Sequence, residues 1–377
     1  MAVFLYHVDM MEVGYLGVLA FFVLSGFLIT PILVGMKREL VGHRFFLNFY
    51  GRRCLRIFPL YYLYLAVLGA GALLALSVEG LPKAIQQVDT QIVYALTYSY
   101  DFFHASRIFV QSPLLTHFWS LAVEEQFYLV WPVVVFVVSA RRLKGVLVAM
   151  IVAGPVFRIV EASLFTTQFS RVLYPRSDMT IYVLPFSHID AFAIGGYFAL
   201  YGKTPGRMAV AIYAALLLVV GMMTERLATG STGLAFGYGP FMSDSWKVIW
   251  AYTLWNVLFG WVLLMTRDRA LFRPIMEHPA LNYLGKISYG LYVYHFAVIW
   301  LVSVVVRARF SQLPLLPRLL LIGVALGVTI VISGVSYAVI ERPFLRLKDR
   351  YFSRTPSQKT APIQEPAVAM TGPFQAT

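Results

Sequence analysis

Nine long apolar segments set the limits on what this chain can fold into. A helix crosses the apolar core of a bilayer with about 17 to 25 mostly apolar residues. The segments of this length are 14–35, 56–78, 117–139, 145–161, 185–201, 207–224, 247–266, 287–306 and 318–340. A tenth apolar segment, 1–8, is too short to cross at about 1.5 Å per residue, so we expect a first helix that lacks its start. The pattern predicts an all-α polytopic membrane protein with about ten transmembrane helices.

The composition agrees with a chain that folds in lipid. Hydrophobic residues make up 59% of the 377 residues and charged residues 13%, about half the charged fraction of a soluble domain. This excludes a disordered chain, an ordinary soluble enzyme and a nucleic-acid-binding module, so we expect membrane lipid and no nucleic acid among the partners. The single cysteine, Cys54, excludes an internal disulfide framework.

The basic residues indicate how the segments are oriented. With 1–8 ending outside and 88–103 not crossing, the inside connections hold 21 Lys and Arg and the outside ones 9, a clear positive-inside bias. We therefore expect both termini in the cytoplasm, with a membrane domain over 1–345 and a disordered cytoplasmic tail over 346–377. Segment 88–103 carries several polar side chains, and we expect it to be re-entrant or interfacial.

The densest group of polar residues in an apolar segment begins at His117. On a helix, His117, Ser120, Glu124 and Tyr128 are three or four residues apart and share one face. Glu124 would lie about two turns below the outer surface, where a carboxylate is costly unless it is paired or used. A helix cap and an interfacial aromatic belt would account for Trp119 and His117, but not for Glu124.

Two further groups carry possible chemistry at opposite ends of the predicted spans. His7 ends the first segment on the outer side, and a histidine near a carboxylate is a plausible general base. On the cytoplasmic side, Arg53 and Arg56 share a helix face beside Arg52, and guanidinium groups bind phosphate in a bidentate manner. These arginines are also explained by a simple topology anchor that contacts anionic lipid.

Other polar residues in the apolar segments have weaker signals. Arg158 is buried by its position, and we expect Glu161, one turn later, to pair with it. Asp190 lies just inside the outer end of its segment, and Gly195-Gly196 would let two helices approach closely. For Glu341 we favour an interface salt bridge that fixes the last helix.

His295 lies near mid-membrane, where a structural and a functional role are about equally plausible. The chain has no metal-ligand motif, no Gly-x-Ser-x-Gly elbow and no phosphate-binding loop. We therefore predict no metal site, and the absence of these motifs argues against an ATPase, a zinc protease and an α/β-hydrolase.

Several motifs occur in an order that is typical of one family. They are Leu5-Tyr6-His7, the run 18–29, Arg53-Cys54-Leu55-Arg56, the run His117 to Tyr128, the run 285–292 and Ile340-Glu341-Arg342-Pro343. With these motifs the chain resembles the acyltransferase-3 family of integral membrane acyltransferases, from its first residue to about 345. The family's basic residue upstream of the first-helix histidine would precede residue 1.

The resemblance implies an enzyme that transfers an acyl group, most often acetyl, to an extracytoplasmic carbohydrate or glycolipid in the bacterial plasma (inner) membrane. It implies acyl-CoA (acetyl-CoA) as the donor substrate and no tightly bound cofactor. The residues expected to act are catalytic His7 and Glu124; CoA-binding Arg52, Arg53 and Arg56; and acceptor-binding His117, Trp119, Ser120, Arg158 and Asp190.

Two other interpretations fit the same residues. A carrier or exporter of a sugar or glycolipid also needs polar groups and aromatic side chains within the membrane, although the chain shows no inverted repeat. The second interpretation is an inactive relative of the acyltransferases. Consumption of acyl-CoA separates the enzyme from both.

Overall fold

The computed structural model describes residues 1–75, 82–165, 177–231, 233, 235–239, 246–268, 277–307 and 309–352, and within these ranges it contains helices and no strand. The helices of the first half are α1 (Ala2–His7), α2 (Leu16–Glu39), α3 (His43–Ala75), α4 (Lys83–Gln86), α5 (Val88–Leu96), α6 (Tyr100–Ala105), α7 (Phe118–Val137) and α8 (Ala140–Phe165). Those of the second half are α9 (Ser177–Val183), α10 (Ile189–Tyr201), α11 (Arg207–Thr229), α12 (Lys247–Asp268), α13 (Pro279–Lys286), α14 (Ser288–Val306), α15 (Leu315–Ser336) and α16 (Arg342–Tyr351). A π-helical turn, Tyr337–Glu341, joins α15 to α16.

Eight helices in the described part of the chain are long and apolar enough to cross a membrane. They are Glu12–Glu39, His43–Ala75, Phe118–Val137, Ala140–Leu164, Arg207–Thr229, Lys247–Asp268, Ser288–Val306 and Leu315–Tyr351. The prediction of an all-α polytopic membrane protein is confirmed, and these eight helices correspond to eight of the ten predicted spans.

The two remaining predicted spans are short helices. Helix α1 has 6 residues and α10 has 13, fewer than the roughly 17 that a crossing needs. The segment 185–201 yields a short helix because Pro185 opens a separate 3₁₀ turn, Pro185–His188, and the helix that follows ends at Gly202. The hydropathy of the segment did not predict the 3₁₀ turn at its start or the end of the helix before Gly202.

Helix α10 nevertheless lies in the centre of the bundle, against α2. A Cβ atom placed on Gly195 would collide with the carbonyl oxygen of Val23, and one on Gly26 with the carbonyl oxygen of Phe192. The two backbones therefore touch, as small residues in membrane helices permit. The predicted close approach at Gly195 is confirmed.

Segment 88–103 forms two short helices, α5 and α6, instead of one span. Three of its polar residues are buried: Tyr100 donates a hydrogen bond to Gln91 at 2.6 Å, and Gln126 of α7 donates to both oxygens of Asp101 at 3.0 and 3.1 Å. This network joins α5 and α6 to the polar half of α7.

Helices α3 and α7 run antiparallel, and this fixes where the two groups of polar residues lie. Tyr50 donates to the carbonyl oxygen of Leu129 at 2.8 Å, while the rings of Tyr64 and Phe118 are 5.4 Å apart. The arginine-bearing half of α3 is therefore level with the second half of α7, and His117 lies toward the opposite end of the pair.

The last helix packs on the same half of α3. Arg52 is 3.2 Å from Asp349 and also donates to the carbonyl oxygen of Phe352. Because α16 extends to Tyr351, the predicted boundary at 345 falls within a helix. The part of the predicted tail from residue 353 onward lies outside the described residues.

Candidate active site

Three histidine rings from different parts of the chain meet at one place in the bundle. The His7 ring lies 5.3 Å from the ring of His295, which in turn lies 5.0 Å from the ring of His117. His7 is the last residue of α1, His117 is the N-cap of α7, and His295 lies in the middle of α14. We refer to His7, His117 and His295 as the histidine cluster.

The end of α1 is held in position by a helix far along the chain. Arg318 of α15 donates to the carbonyl oxygens of Val8, at 3.0 Å, and Asp9. Asp9 has a left-handed backbone with φ 56°, so the chain turns directly after His7. Phe296 contacts the His7 ring edge to face, with 4.6 Å between the centroids. The cluster is therefore built by three spatially close but sequentially distant elements.

Two hydroxyl groups extend the histidine cluster along α7 and α14. Tyr292 donates to the backbone carbonyl oxygen of His117 at 2.9 Å, and its hydroxyl group also hydrogen-bonds to Ser120. The predicted common face of His117, Ser120 and Glu124 is confirmed, because all three side chains are buried on α7 or at its start. Ser120 and His117 thus belong to the same site as His7.

Glu124 belongs to a second polar group, which we call the glutamate site (Glu124, Ser25 and Tyr128). Ser25 of α2 donates to Glu124 Oε1 at 2.6 Å, and Tyr128 donates to the same oxygen. The guanidinium group of Arg53 lies 4.8 Å from the centre of the Tyr128 ring. The glutamate site therefore connects α7 to the arginines of α3.

Glu124 and His7, the two residues predicted to be catalytic, lie in different polar groups. Within the described part of the chain, the hydrogen-bond donors to Glu124 are Ser25 and Tyr128, and no hydrogen bond joins it to His7. Glu124 also lies seven residues after His117 on the same helix, about 10 Å along the axis. The histidine cluster and the glutamate site are thus separate levels of one bundle.

The three predicted CoA-binding arginines differ in their surroundings. Arg56 is exposed, Arg53 is half-buried over Tyr128, and Arg52 is bound to the end of α16 through Asp349 and Phe352. Arg53 and Arg56 therefore present charge at this end of the bundle, whereas Arg52 has a structural contact as well.

Arg158 and Asp190, predicted to bind the acceptor, bind each other instead. Two guanidinium nitrogens of Arg158 lie 3.2 and 3.0 Å from the two carboxylate oxygens of Asp190, and both side chains are fully buried. The remaining donors of Arg158 reach Ser187, Ile249 and Thr253. This geometry leaves no donor for a substrate. The expected partner Glu161 is wrong: Glu161 accepts a hydrogen bond from Ser187.

Trp119 is buried within a group of aromatic rings. Its ring lies 4.7 Å from Tyr182, 6.0 Å from His188 and 6.3 Å from Phe22, and only 6% of the residue is exposed. It supports the wall between α2, α7 and α9 and presents no open face for a sugar.

Ser25 and Tyr292 lie within the motif runs 18–29 and 285–292, but the sequence alone did not single them out as individual site residues. Ser25 and Tyr292 are a single hydroxyl in an apolar run and one tyrosine among many. Glu341 lies in the π-helical turn, is 5% exposed, and its Oε1 atom has no hydrogen-bond partner among the described residues. The predicted salt bridge of Glu341 is absent from the ion pairs of the described residues. A π turn, often found at functional sites, is not visible in a hydropathy pattern.

Histidine side chains are common metal ligands, so a cluster of three could in principle form a metal site. Within the ranges that the structure describes, no group of three or more His, Cys, Asp and Glu side chains is arranged to hold a metal ion. The histidine cluster, despite its three imidazoles, is included in that result.

The known proteins similar to this chain include two from Staphylococcus aureus. O-acetyltransferase OatA of Staphylococcus aureus (strain MRSA252) is 25% identical over 376 residues, which cover 95% of this chain and 57% of that protein. A putative O-acetyltransferase of Staphylococcus aureus (strain COL) is 27% identical over 360 residues, which cover 91% of this chain and 55% of that protein. The chain spans little more than half the length of these curated relatives. No solved structure matches it.

The profile of the acyltransferase domain called Acyl_transf_3 matches residues 1–337, which include the histidine cluster and the glutamate site. The match covers most of the described membrane bundle and agrees with the order of the motifs from Leu5 to Tyr292. The chain therefore belongs to the family of membrane proteins that carry this acyltransferase domain.

Proposed function

We propose that this protein is a membrane-bound O-acetyltransferase. It moves an acyl group, most simply acetyl, from acyl-CoA in the cytoplasm to a hydroxyl group of a carbohydrate or glycolipid on the other side of the bacterial plasma membrane. The observation that carries the proposal is the pairing of two polar sites in one acyltransferase bundle. Basic residues lie at one level of α3, and a histidine cluster lies toward the opposite end of α7.

The basic end suits the donor. Arg56 is exposed and Arg53 is half-buried, and the phosphates of CoA are the kind of anion that guanidinium groups bind in a bidentate manner. Arg52 adds charge beside them. In the proposed orientation, with both termini in the cytoplasm, this end faces the cytosol, as the distribution of Lys and Arg in the sequence favours.

The histidine end suits the acceptor. His7 removes the proton from the acceptor hydroxyl while the oxygen attacks the thioester carbonyl carbon. The C–O bond forms and the C–S bond breaks. The CoA thiolate then takes the proton from His7, so that the products are the ester and free CoA. Ser120 and Tyr292 supply hydroxyl groups beside this reaction.

Glu124 has a role near the donor. Its carboxylate accepts from Ser25 and Tyr128 and lies behind the ring that Arg53 covers. We propose that the glutamate site forms the passage through which the acyl thioester reaches the histidine cluster. With the proposed passage, the donor end and the acceptor end, each buried polar residue on α7 has a proposed role.

The test uses the purified chain in lipid nanodiscs. Free CoA thiol is measured after addition of acetyl-CoA, with and without a bacterial glycan extract, for the wild type and the His7→Ala variant. His278→Ala is the matched control, because His278 is exposed and caps α13. We expect the wild type to release CoA and the glycan to stimulate this release. The His278→Ala control should behave like the wild type, whereas His7→Ala should release no CoA.

The alternatives give different results in the same experiment. A folded wild type that releases no CoA under any condition contradicts the acyltransferase proposal and favours a carrier. CoA release that His7→Ala leaves unchanged keeps the acyltransferase but removes His7 from the mechanism. Mass spectrometry of the glycan after the reaction identifies the added group and so tests acetyl against longer chains.

A further inference from the structure

The histidine cluster contains a buried imidazole, His295, that the proposed reaction does not yet use. Its ring is the nearest imidazole to His7 among the described ring contacts, at 5.3 Å between centroids. His295 is 3% exposed and lies in the middle of α14, so its ring is inside the bundle and not at a helix end.

The protonation pattern of the His295 ring follows from one hydrogen bond. Nδ1 of His295 lies 2.6 Å from the backbone carbonyl oxygen of Tyr292. A carbonyl oxygen only accepts, so Nδ1 carries the proton and donates it. In a neutral imidazole the other nitrogen, Nε2, then holds a lone pair and is an acceptor.

That acceptor has nothing to accept from. Nε2 of His295 is buried and has no hydrogen-bond partner among the described residues. A buried polar atom without a partner costs free energy and calls for an explanation in a native structure. Of the neighbouring rings, Phe296 has no polar atom and the Tyr292 hydroxyl donates to the carbonyl oxygen of His117. Nε2 of His117 lies 3.2 Å from the carbonyl oxygen of Val293 and so carries the proton, which leaves its Nδ1 as another acceptor. His7 is therefore the neighbouring imidazole that can donate to His295.

We propose that His295 is the positioning residue of His7: its Nε2 accepts the N–H of the His7 ring, which fixes the other His7 nitrogen as the base. The inference rests on the proposed acyl transfer. His7 lies at the end of a short helix, and its ring already packs against the His295 ring at an interplanar angle of 39°. The arrangement is the imidazole counterpart of a carboxylate that orients a catalytic histidine.

The proton balance is unchanged by this residue. The acceptor hydroxyl gives its proton to the free nitrogen of His7, and the imidazolium that forms keeps its second N–H pointed at His295. The hydrogen bond to Nε2 becomes charge-assisted at that moment and is therefore stronger in the transition state than in the ground state. The proton then leaves from the first nitrogen to the CoA thiolate.

The chain contains a matched control for a purely structural histidine. His188 is also buried, its Nε2 lies 2.6 Å from the carbonyl oxygen of Tyr182, and its Nδ1 has no partner among the described residues. The ring contacts of His188 are to Phe22, Trp119, Tyr182 and Tyr252, and to no other histidine. Replacing His188 therefore removes a similar ring without touching His7.

The experiment compares His295→Phe, His295→Gln and His188→Phe with the wild type in the nanodisc assay. Phenylalanine keeps a flat aromatic ring and removes both nitrogens, whereas glutamine can place an amide oxygen, which is an acceptor, where Nε2 lies. We expect His295→Phe to lower kcat about 100-fold with the KM for acetyl-CoA unchanged. His295→Gln should restore at least a third of the wild-type kcat, and His188→Phe should retain the wild-type kcat.

The outcomes separate this inference from the proposed function. If wild-type activity depends on His7 but His295→Phe turns over at the wild-type rate, His295 does not position His7. If glutamine is as inactive as phenylalanine while both variants melt at the wild-type temperature, an acceptor at this place is not what matters, and the inference is overturned. Absence of activity in the folded wild type instead contradicts acyl transfer itself.

Discussion

The two guanidinium nitrogens of Arg158 lie 3.2 and 3.0 Å from the two carboxylate oxygens of Asp190, with neither side chain exposed to solvent. Thr253 donates to the same carboxylate at 2.5 Å and accepts from Arg158 at 2.6 Å. The pair joins α8, α10 and α12. Because α10 is too short to be fixed by lipid on its own, this pair is one of the contacts that hold it in the bundle.

Removing one member of this pair should be more harmful than neutralising both. Arg158→Met leaves the Asp190 carboxylate buried without its cation, which we expect to destabilise the protein by about 3–5 kcal/mol. The double variant Arg158→Met/Asp190→Asn removes the stranded charge and should recover part of the loss. Thermal unfolding in detergent measures both. A melting temperature of Arg158→Met equal to that of the wild type would contradict a structural role.

The close contact of α2 with α10 predicts that adding one methyl group at Gly195 lowers the stability of the protein. Gly195→Ala places a Cβ against the carbonyl oxygen of Val23, so the helices must separate, and we expect a loss of about 1–3 kcal/mol. Gly327→Ala is the matched control, since a Cβ there meets nothing within 4 Å and should be neutral or slightly stabilising. Equal melting temperatures for the two variants would show that the helices are not packed at Gly195.

The sequence predicted features that depend on one helix at a time, namely its apolar length and the spacing of its polar residues. The polytopic class, eight of the spans and the common face of His117, Ser120 and Glu124 followed from apolar length and helical spacing. His7 and the arginines are predicted site residues because of their residue types at the ends of spans, and their roles stay predictions. These inferences need only local information, since each concerns one helix.

The failures all concern contacts between helices. Arg158 was paired with Glu161 because the two are neighbours in sequence, but the partner is Asp190 on another helix. The hydrogen bonds that Glu124 accepts from Ser25 and Tyr128, the former on another helix, were likewise not predicted. The position of His295 beside His7 likewise depends on how α1 and α14 pack, and no pattern within either segment specifies that.

Asp101 predicts how stability depends on pH. Burial raises the pKa of Asp101 to about 7, and the amide of Gln126 offsets part of that increase. In the unfolded chain the pKa is about 3.9. Between these two values the folded protein holds a proton that the unfolded chain has lost, so stability is greatest at low pH and falls as the pH rises toward 7.

The measurement is the melting temperature between about pH 5 and pH 8 for the wild type and Asp101→Asn. Asparagine keeps an acceptor for Gln126 but does not titrate. We expect the wild type to lose stability over this range and the variant to lose clearly less. Identical pH profiles would mean that Asp101 titrates near its ordinary pKa.

Glu124→Gln tests whether the glutamate site is needed for the reaction. The amide keeps the size of the side chain and one oxygen for Ser25 but loses the charge, and we expect CoA release to fall about 100-fold. Glu161→Gln is the matched control, because Glu161 is a buried glutamate that also accepts from a serine, Ser187, outside both sites. Similar activities of the two variants would make Glu124 a structural residue.

The last prediction concerns Arg53 and Arg56. If they hold the CoA phosphates, Arg53→Ala and Arg56→Ala should each raise the KM for acetyl-CoA about 10- to 100-fold with little change in kcat, since a charged hydrogen bond to phosphate contributes roughly 1.5–3 kcal/mol. Arg44→Ala is the control, being an exposed arginine of the same helix that lies outside the proposed binding group.

The donor itself can be varied to show that phosphate is what the arginines recognise. Acetyl-dephospho-CoA lacks the 3′-phosphate, so the wild type should bind it more weakly than acetyl-CoA. A variant that has lost the arginine contacting that phosphate should no longer distinguish the two donors, because the interaction is already absent. If both arginine variants discriminate as well as the wild type and have its KM, Arg53 and Arg56 only anchor α3 at the membrane surface.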